Sequence, residues 1–395
     1  MNFDKPIVNF DKPINRVNTH SDKWDNMQAL YGVDPQEGTA MWVADMDFEP
    51  PVAVQDAPKT MMGQGVYGYY GDKTDYHNAI TGWMDRRHGW TVDPAHIFTT
   101  HGLVNATALC LQAFTQPGDG VVLFTPVYHA FARVTKAAGR RVVECELALN
   151  NGRYEMDFDA YDAQMDGSET MLILCSPHNP GGRVWSVEEL RKVGEFALRH
   201  NLMIVSDEVH HDITFGVKHT PMPLAVPEIS DRLVMLTASS KTFNLAGSYS
   251  GNVIIADENL RKKFAATMRA MGISANAFGL TMTQAAYDHG DAWVDALVAY
   301  LDENRKILDA TMAKIPGVKS MPMQATYLSW VDFAGTGMSK SEYIDRVQNK
   351  ALIAASHGET FGSGGETFLR FNFATQRAQL IGAMERLEHA FSDLQ

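Results

Sequence analysis

Between about residues 97 and 256 the chain repeats one device: a short apolar run, in several cases a helical pattern, then another run. The seven runs are Ile97-Phe-Thr-Thr, Val121-Val-Leu-Phe, Arg141-Val-Val-Glu-Cys, Met171-Leu-Ile-Leu-Cys, Leu202-Met-Ile-Val, Leu233-Val-Met-Leu and Asn252-Val-Ile-Ile, and 187–200 is a typical helical interval. Parallel strands need crossover connections, and the crossover helices cover both faces of the sheet, so such strands read as unbroken hydrophobic runs. The pattern predicts an α/β protein whose large domain, residues 46–290, holds a mostly parallel seven-stranded sheet flanked by helices. From about 283 a helical pattern runs to Lys314, Pro316-Gly317 breaks it, and strands are expected near 326–332 and 367–373. Residues 291–395 are therefore read as a smaller α+β domain. Residues 1–45 are expected to pack with it, because the apolar run Met41-Trp-Val-Ala44 needs burial. A pocket should form between the two domains.

The bulk composition removes several classes of function. A chain of 395 residues with a formal charge of −13 and no basic run is a poor partner for nucleic acid, whose binding depends on Lys and Arg neutralising phosphates. Cys110, Cys145 and Cys175 are odd in number and far apart among apolar residues, which argues against a disulfide framework and suits a reducing cytoplasm. No stretch has the ~18 uncharged residues of a membrane helix, and Asp and Lys stand where a signal peptide needs an apolar core. Asn2-Phe-Asp-Lys-Pro-Ile7 recurs as Asn9-Phe-Asp-Lys-Pro-Ile14; this is too short for a structural repeat, and no function is assigned to it.

Chemistry is concentrated where these strands end. Leu172-Ile-Leu-Cys-Ser-Pro-His-Asn179 leads to an amide, Ile204-Val-Ser-Asp207 to an acid, and Asp231-Arg-Leu-Val-Met-Leu-Thr237 to Ala-Ser-Ser-Lys241, an amine between small hydroxyl residues. Ligands of α/β sheets bind at the carboxyl ends of strands. An amine that can form a Schiff base, an acid to keep a pyridine nitrogen protonated and an amide to donate to a phenolate oxygen are the requirements of pyridoxal 5'-phosphate (PLP).

Further segments carry a family resemblance. Met41-Trp-Val-Ala-Asp-Met-Asp-Phe48, Tyr67-Gly-Tyr69, Trp83-Met-Asp-Arg-Arg-His-Gly-Trp90, Ser206-Asp-Glu-Val-His210 and Ser240-Lys-Thr-Phe-Asn244 resemble fold-type I PLP enzymes of the class I/II aminotransferase superfamily. Within it they are most similar to the cystathionine β-lyase-like carbon–sulfur lyases. The resemblance runs from about residue 25 to the C-terminus. It implies Lys241 as anchor and base, Asp207 at the pyridine nitrogen, Asn179 at the phenolate oxygen, and Tyr128 stacked on the ring. His210 stands where many aminotransferases have a tyrosine that contacts the phenolate oxygen. Gly102 and Leu103, opening a helix after strand 97–100, would hold the phosphate on free N–H groups, helped by Ser239 and Ser240. Tyr69 would reach the phosphate from the neighbouring subunit of a homodimer. Arg370, in Phe368-Leu-Arg-Phe-Asn-Phe-Ala374, would grip the substrate carboxylate with a planar fork, beside Asn179, Tyr128 and Ala44. Trp42, Tyr67 and Tyr327 are read either as pocket lining or as core.

Two local patterns bear on rival functions. Asp207-Glu-Val-His-His-Asp212 is not read as a metal site, since side chains leaving a strand do not converge as those of a helical two-histidine motif do; His211 is the weaker of its two histidines as a site candidate. Tyr249 occupies the eighth position after Lys241, where many class I aminotransferases carry a phosphate-binding arginine. The expected activity is β-elimination from L-cystathionine or related L-cysteine S-conjugates. The alternatives are an aminotransferase and, in another class, a non-catalytic regulator on the same fold.

Overall fold

The computed structural model describes residues 9–394; the first copy of the duplicated hexapeptide lies outside them. Across the central sheet the strands run in the order Ile97–Thr100, Gly251–Ile254, Leu233–Thr237, Met203–Asp207, Glu169–Cys175, Gly120–Thr125 and Arg141–Glu146. Gly251–Ile254 is antiparallel to both neighbours and every other pairing is parallel. Val121, Leu123, Ile173 and Val205 pack on one face, while Val122, Phe124, Leu172, Leu174 and Ile204 pack on the other. Alternate residues thus face opposite cores, which is why these strands read as continuous apolar runs. The helical pattern expected at 187–200 is the helix Val187–Arg199, started by a capping box in which Ser186 and Glu189 each satisfy the other's backbone N–H.

A second sheet, of five strands, runs Thr39–Met41, Ile353–His357, Phe368–Asn372, Leu328–Asp332 and Lys319–Ser320. Thr39–Met41 pairs in parallel with Ile353–His357, so the run before the large sheet is built into a sheet of C-terminal strands. The helical pattern expected to run unbroken from about 283 to 314 is two helices, Ala277–His289 and Asp291–Met312. They part at Gly290, where a β-carbon would lie 2.2 Å from the Phe243 ring, so only glycine lets the chain turn against the core there. Among the described residues no helix is long and apolar enough to cross a membrane.

Candidate active site

Because the six strands other than Gly251–Ile254 are mutually parallel, Thr100, Thr125, Cys175, Asp207 and Thr237 end along one edge of the sheet. A cavity of about 770 Å³ opens there, bordered by Gly102, Leu103, Tyr128, Asn179, Asp207, His210, Ser240 and Lys241. Gly102 is the N-cap of helix Leu103–Phe114, with φ of 81°, a conformation other residues rarely adopt, and having no side chain it cannot cap the helix. Its first-turn N–H groups and positive dipole end therefore form an anion site at the cavity wall.

Two buried ionisable groups, Asp207 at this edge and Arg370 on the second sheet behind the cavity wall, lack an ion-pair partner among the described residues. Asp207 accepts one hydrogen bond, from the Val209 N–H at 3.2 Å, and burial pushes its carboxyl up to about 7 despite the attraction of Lys241. Arg370 is buried and makes no ion pair among the described residues; burial pulls its guanidinium down to about 10. It donates to Asn179 Oδ1 (3.0 Å), Trp42 O (2.7 Å) and Ser356 Oγ (3.2 Å), while its Nε has no partner among the described residues. A buried ion without a partner is costly, so each charge fits a guest that brings the opposite one: a pyridinium for Asp207 and a carboxylate for Arg370. Lys241 is half-buried, and its amine is held below the ordinary lysine range, first by desolvation and then by Arg370, with Asp45 and Asp207 opposing. A lysine so placed is more readily neutral and nucleophilic. Cavity, ring-pairing acid, helix N-terminus and depressed amine together fit PLP.

A strap at 42–47 closes the cavity through successive carbonyls. Trp42 O accepts from Arg370, Val43 O from Asn372, Ala44 O from both Lys241 Nζ (2.8 Å) and Tyr327 (3.0 Å), and Asp45 O from Asn372. Buried Asp47 anchors the strap to the N-terminal segment, accepting from Lys23 Nζ (2.8 Å), Trp24 Nε1 (3.0 Å) and Arg16 (2.8 Å). Burial alone would raise the Asp47 carboxyl, yet Lys23 and Arg16 hold it below the usual carboxylate range. Asn244, in the motif that follows Lys241, locks the other side by donating to Met46 O and Phe48 O and accepting from the Met46 N–H.

The structure brings Lys241, Asp207, Asn179, His210, Tyr128, Gly102, Leu103, Ser240 and Ala44 to one cavity. Ser239 is instead turned inward, its hydroxyl paired with Thr283 at 2.8 Å, because the first turn after Thr237 can direct only one of two adjacent serines to the cavity. Arg370 stands behind the wall and meets it through Asn179. Tyr69 is fully exposed and borders no part of the cavity of its own chain. Trp42 contributes its carbonyl, Tyr327 is core, and Tyr67 is exposed. His211 turns away from the cavity toward Asp212 and His88. Sequence reasoning missed Arg16, Lys23, Asp47 and Asn244; two acids inside an apolar run at 41–48 were the signal that buried cations must meet them.

Comparison with known proteins agrees with this geometry. The sequence profile of a family described as aminotransferase class I and II matches residues 43–387. The chain is 40% identical over 389 residues to cystathionine beta-lyase PatB of Bacillus subtilis (strain 168), covering 98% of this chain and 100% of that protein. Among solved structures it is similar to cystalysin from Treponema denticola, which contains a PLP cofactor (TM-score 0.94, 34% identity, 99% of this chain and 100% of that one). It is also similar to a PLP-bound putative aminotransferase from Clostridium difficile 630 (TM-score 0.92, 34% identity, 97% and 100%).

Proposed function

This chain belongs to the class I and II aminotransferase family of PLP-dependent enzymes, and from that premise we propose a carbon–sulfur β-lyase acting on L-cystathionine or related L-cysteine S-conjugates. Lys241 would attach the cofactor, Asp207 would face its ring nitrogen, Asn179 its phenolate oxygen and Tyr128 its ring. Helix Leu103–Phe114 and Ser240 would hold its phosphate. When bound, that group supplies an electron sink for the pair left at the substrate α-carbon.

The protein's own groups do the rest. Arg370 exchanges its Trp42 or Ser356 contact for the substrate carboxylate, with Asn179 keeping the guanidinium in plane. The Lys241 amine, once free, takes the α-proton; its depressed basicity keeps part of it neutral for that task. The Cβ–S bond then breaks, and with one water consumed the products are a thiol, pyruvate and ammonia. The observation that carries this reading is the pair of uncompensated buried charges, Asp207 and Arg370, at the site where the Lys241 amine is depressed. Tyr249 borders the cavity and offers no cation to a phosphate, which favours the lyase over transamination.

The working unit is a homodimer whose partner supplies Tyr69. Supporting this, Val66, Tyr67, Tyr69, Tyr249 and Met271 are exposed, and a partner chain would take such apolar side chains out of water. The deciding assay is pyruvate release from cystathionine, cystine and S-substituted cysteines without any 2-oxo acid. Pyruvate and thiol in that mixture identify the lyase, and strict dependence on an added 2-oxo acid identifies an aminotransferase. Lys241→Ala should abolish turnover; robust pyruvate release by that variant defeats the assignment.

A further inference from the structure

We propose that His88, His211 and Asp212, with His219 beside them, form a site for a zinc-type dication in a second pocket that shares no lining residue with the cavity around Lys241. The pocket, about 240 Å³, is bordered by these four residues and by Arg86, Arg87, Thr214, Val217 and Lys218. Helix Thr74–His88 delivers His88 at its last residue, and the turn after strand Met203–Asp207 delivers the other two. The segment thus faces two ways, with Asp207 and His210 on the large cavity and His211 and Asp212 on the small pocket.

One ligand atom from each of His88, His211 and Asp212 lies within 4.8 Å of the others, and all three residues are buried. His88 Nε2 is 2.8 Å from Asp212 Oδ1 and His211 Nε2 is 3.3 Å from Asp212 Oδ2, with the two ring centroids 4.2 Å apart and the rings tilted by 33°. Tetrahedral coordination at ~2.0–2.1 Å requires ligand atoms about 3.3 Å apart, so a dication could take the place of the protons that now link imidazole to carboxylate. Asp212 already has the outer support that metal carboxylates use: Trp83 Nε1 donates to it at 3.1 Å and Thr242 Oγ1 at 2.6 Å.

His219 is the independent observation. Its Nε2 meets Glu208 Oε2 at 2.7 Å, and Glu208 is fixed in turn by the Ser206 hydroxyl (2.8 Å) and the Met222 N–H (2.9 Å). With the ring proton given to Glu208, Nδ1 is left as a bare lone pair, buried and without a hydrogen-bond partner among the described residues. A carboxylate behind one imidazole nitrogen and an unused lone pair on the other is the outer-sphere arrangement of metal-bound histidine. Its ring centroid is 6.3 Å from that of His88 and 6.2 Å from that of His211, so it flanks both. The cations at the rim do not bar a dication, since Arg86 is paired with Asp291 and Arg87 with Asp295, and Lys218 is exposed.

The test uses the PLP-loaded protein, dialysed against a chelator and then titrated with Zn²⁺, with bound metal measured by mass spectrometry. Expected are one equivalent per chain in the wild type and affinities about 10- to 100-fold weaker in His211→Gln, His219→Gln and the outer-sphere variant Glu208→Gln. Retention of the cofactor's visible absorption shows that each variant is folded. Should a variant fail that control, Co²⁺ added to wild-type protein decides: intense visible bands mark a tetrahedral nitrogen–oxygen site. A pale octahedral spectrum, sub-stoichiometric binding, or equal binding by wild type and histidine variants overturns the proposal.

Discussion

Replacing Asp207 with Asn should stabilise the cofactor-stripped protein while weakening its hold on PLP. Burial pushes the Asp207 carboxyl up to about 7 from the usual 3.8, and the Val209 N–H and Lys241 recover only part of the cost. The native state then binds this proton more tightly than the unfolded chain. Stability falls as pH rises from about 4 to about 7, and the whole penalty is present above that window. A gap of about 3 units at ~1.4 kcal/mol each sets an upper figure of ~4 kcal/mol. Asn does not titrate, and its Oδ1 can keep the 3.2 Å bond from Val209. Allowing for the cost of burying the new amide, a gain of about 2–4 kcal/mol is expected at pH 8.5, shrinking to near zero by about pH 4. The cofactor has the opposite interest, since a hydrogen bond to a charged group contributes about 1.5–3 kcal/mol, so PLP should bind roughly 10- to 100-fold more weakly. Urea unfolding midpoints, taken for both proteins between about pH 5 and 8.5 with and without excess PLP, test both halves. The variant should lead without PLP at high pH and lose that lead with it. A stripped variant less stable than wild type at pH 8.5, or a gap that ignores pH, would refute the claim that Asp207 is an uncompensated buried charge.

Three further outcomes follow from the same geometry. Arg370→Lys loses the planar fork and the Asn179 contact, so kcat/KM for amino-acid substrates should fall about 10- to 100-fold, mostly through KM, in steady-state pyruvate assays. Asp47→Asn leaves buried Lys23 with only the more distant Asp45 carboxylate, at 3.7 Å, and should cost about 2–4 kcal/mol in denaturant unfolding; an unchanged midpoint would show that the ion pair does not anchor the N-terminal segment. Tyr69→Ala and Lys241→Ala homodimers should each be inactive or nearly so, whereas mixing them after mild dissociation should restore up to about a quarter of wild-type activity, because half of the hybrid sites are intact and hybrids form about half of the dimers. No recovery on mixing would show that Tyr69 does not serve the partner's site.

What the sequence disclosed depended on periodicity and on strand ends. The large sheet was legible because its inner strands are buried on both faces, and Lys241, Asp207 and Asn179 were legible because they stand at or within four residues of the ends of such strands. The break at Gly290 was not, since a glycine inside a helical pattern does not reveal that Phe243 presses against it from forty-seven residues away. Nor was the choice between Ser239 and Ser240, because rotation of a single helical turn after Thr237 decides which hydroxyl meets Thr283. The convergence of His211 and Asp212 was hidden for a related reason: their partner His88 arrives from another helix, and a pattern confined to 207–212 cannot include it.

The N-terminal segment is the part of the chain that most changes the reading of the site. On sequence grounds Met41–Ala44 needed burial and nothing more, yet its carbonyls hold the two groups to which the proposed reaction gives the carboxylate and the proton, Arg370 at Trp42 O and Lys241 at Ala44 O. In the proposed reaction both contacts belong to groups that must let go: Lys241 to attach cofactor and move a proton, Arg370 to take a carboxylate. The strap is therefore useful only if it stays in place while its partners leave. That explains why Asp47, three residues on, is buried with two cations and an indole N–H instead of resting on the surface. An ion cluster so deeply placed adds little net stability but tolerates few alternative arrangements, and a fixed set of carbonyl acceptors is what two mobile donors require.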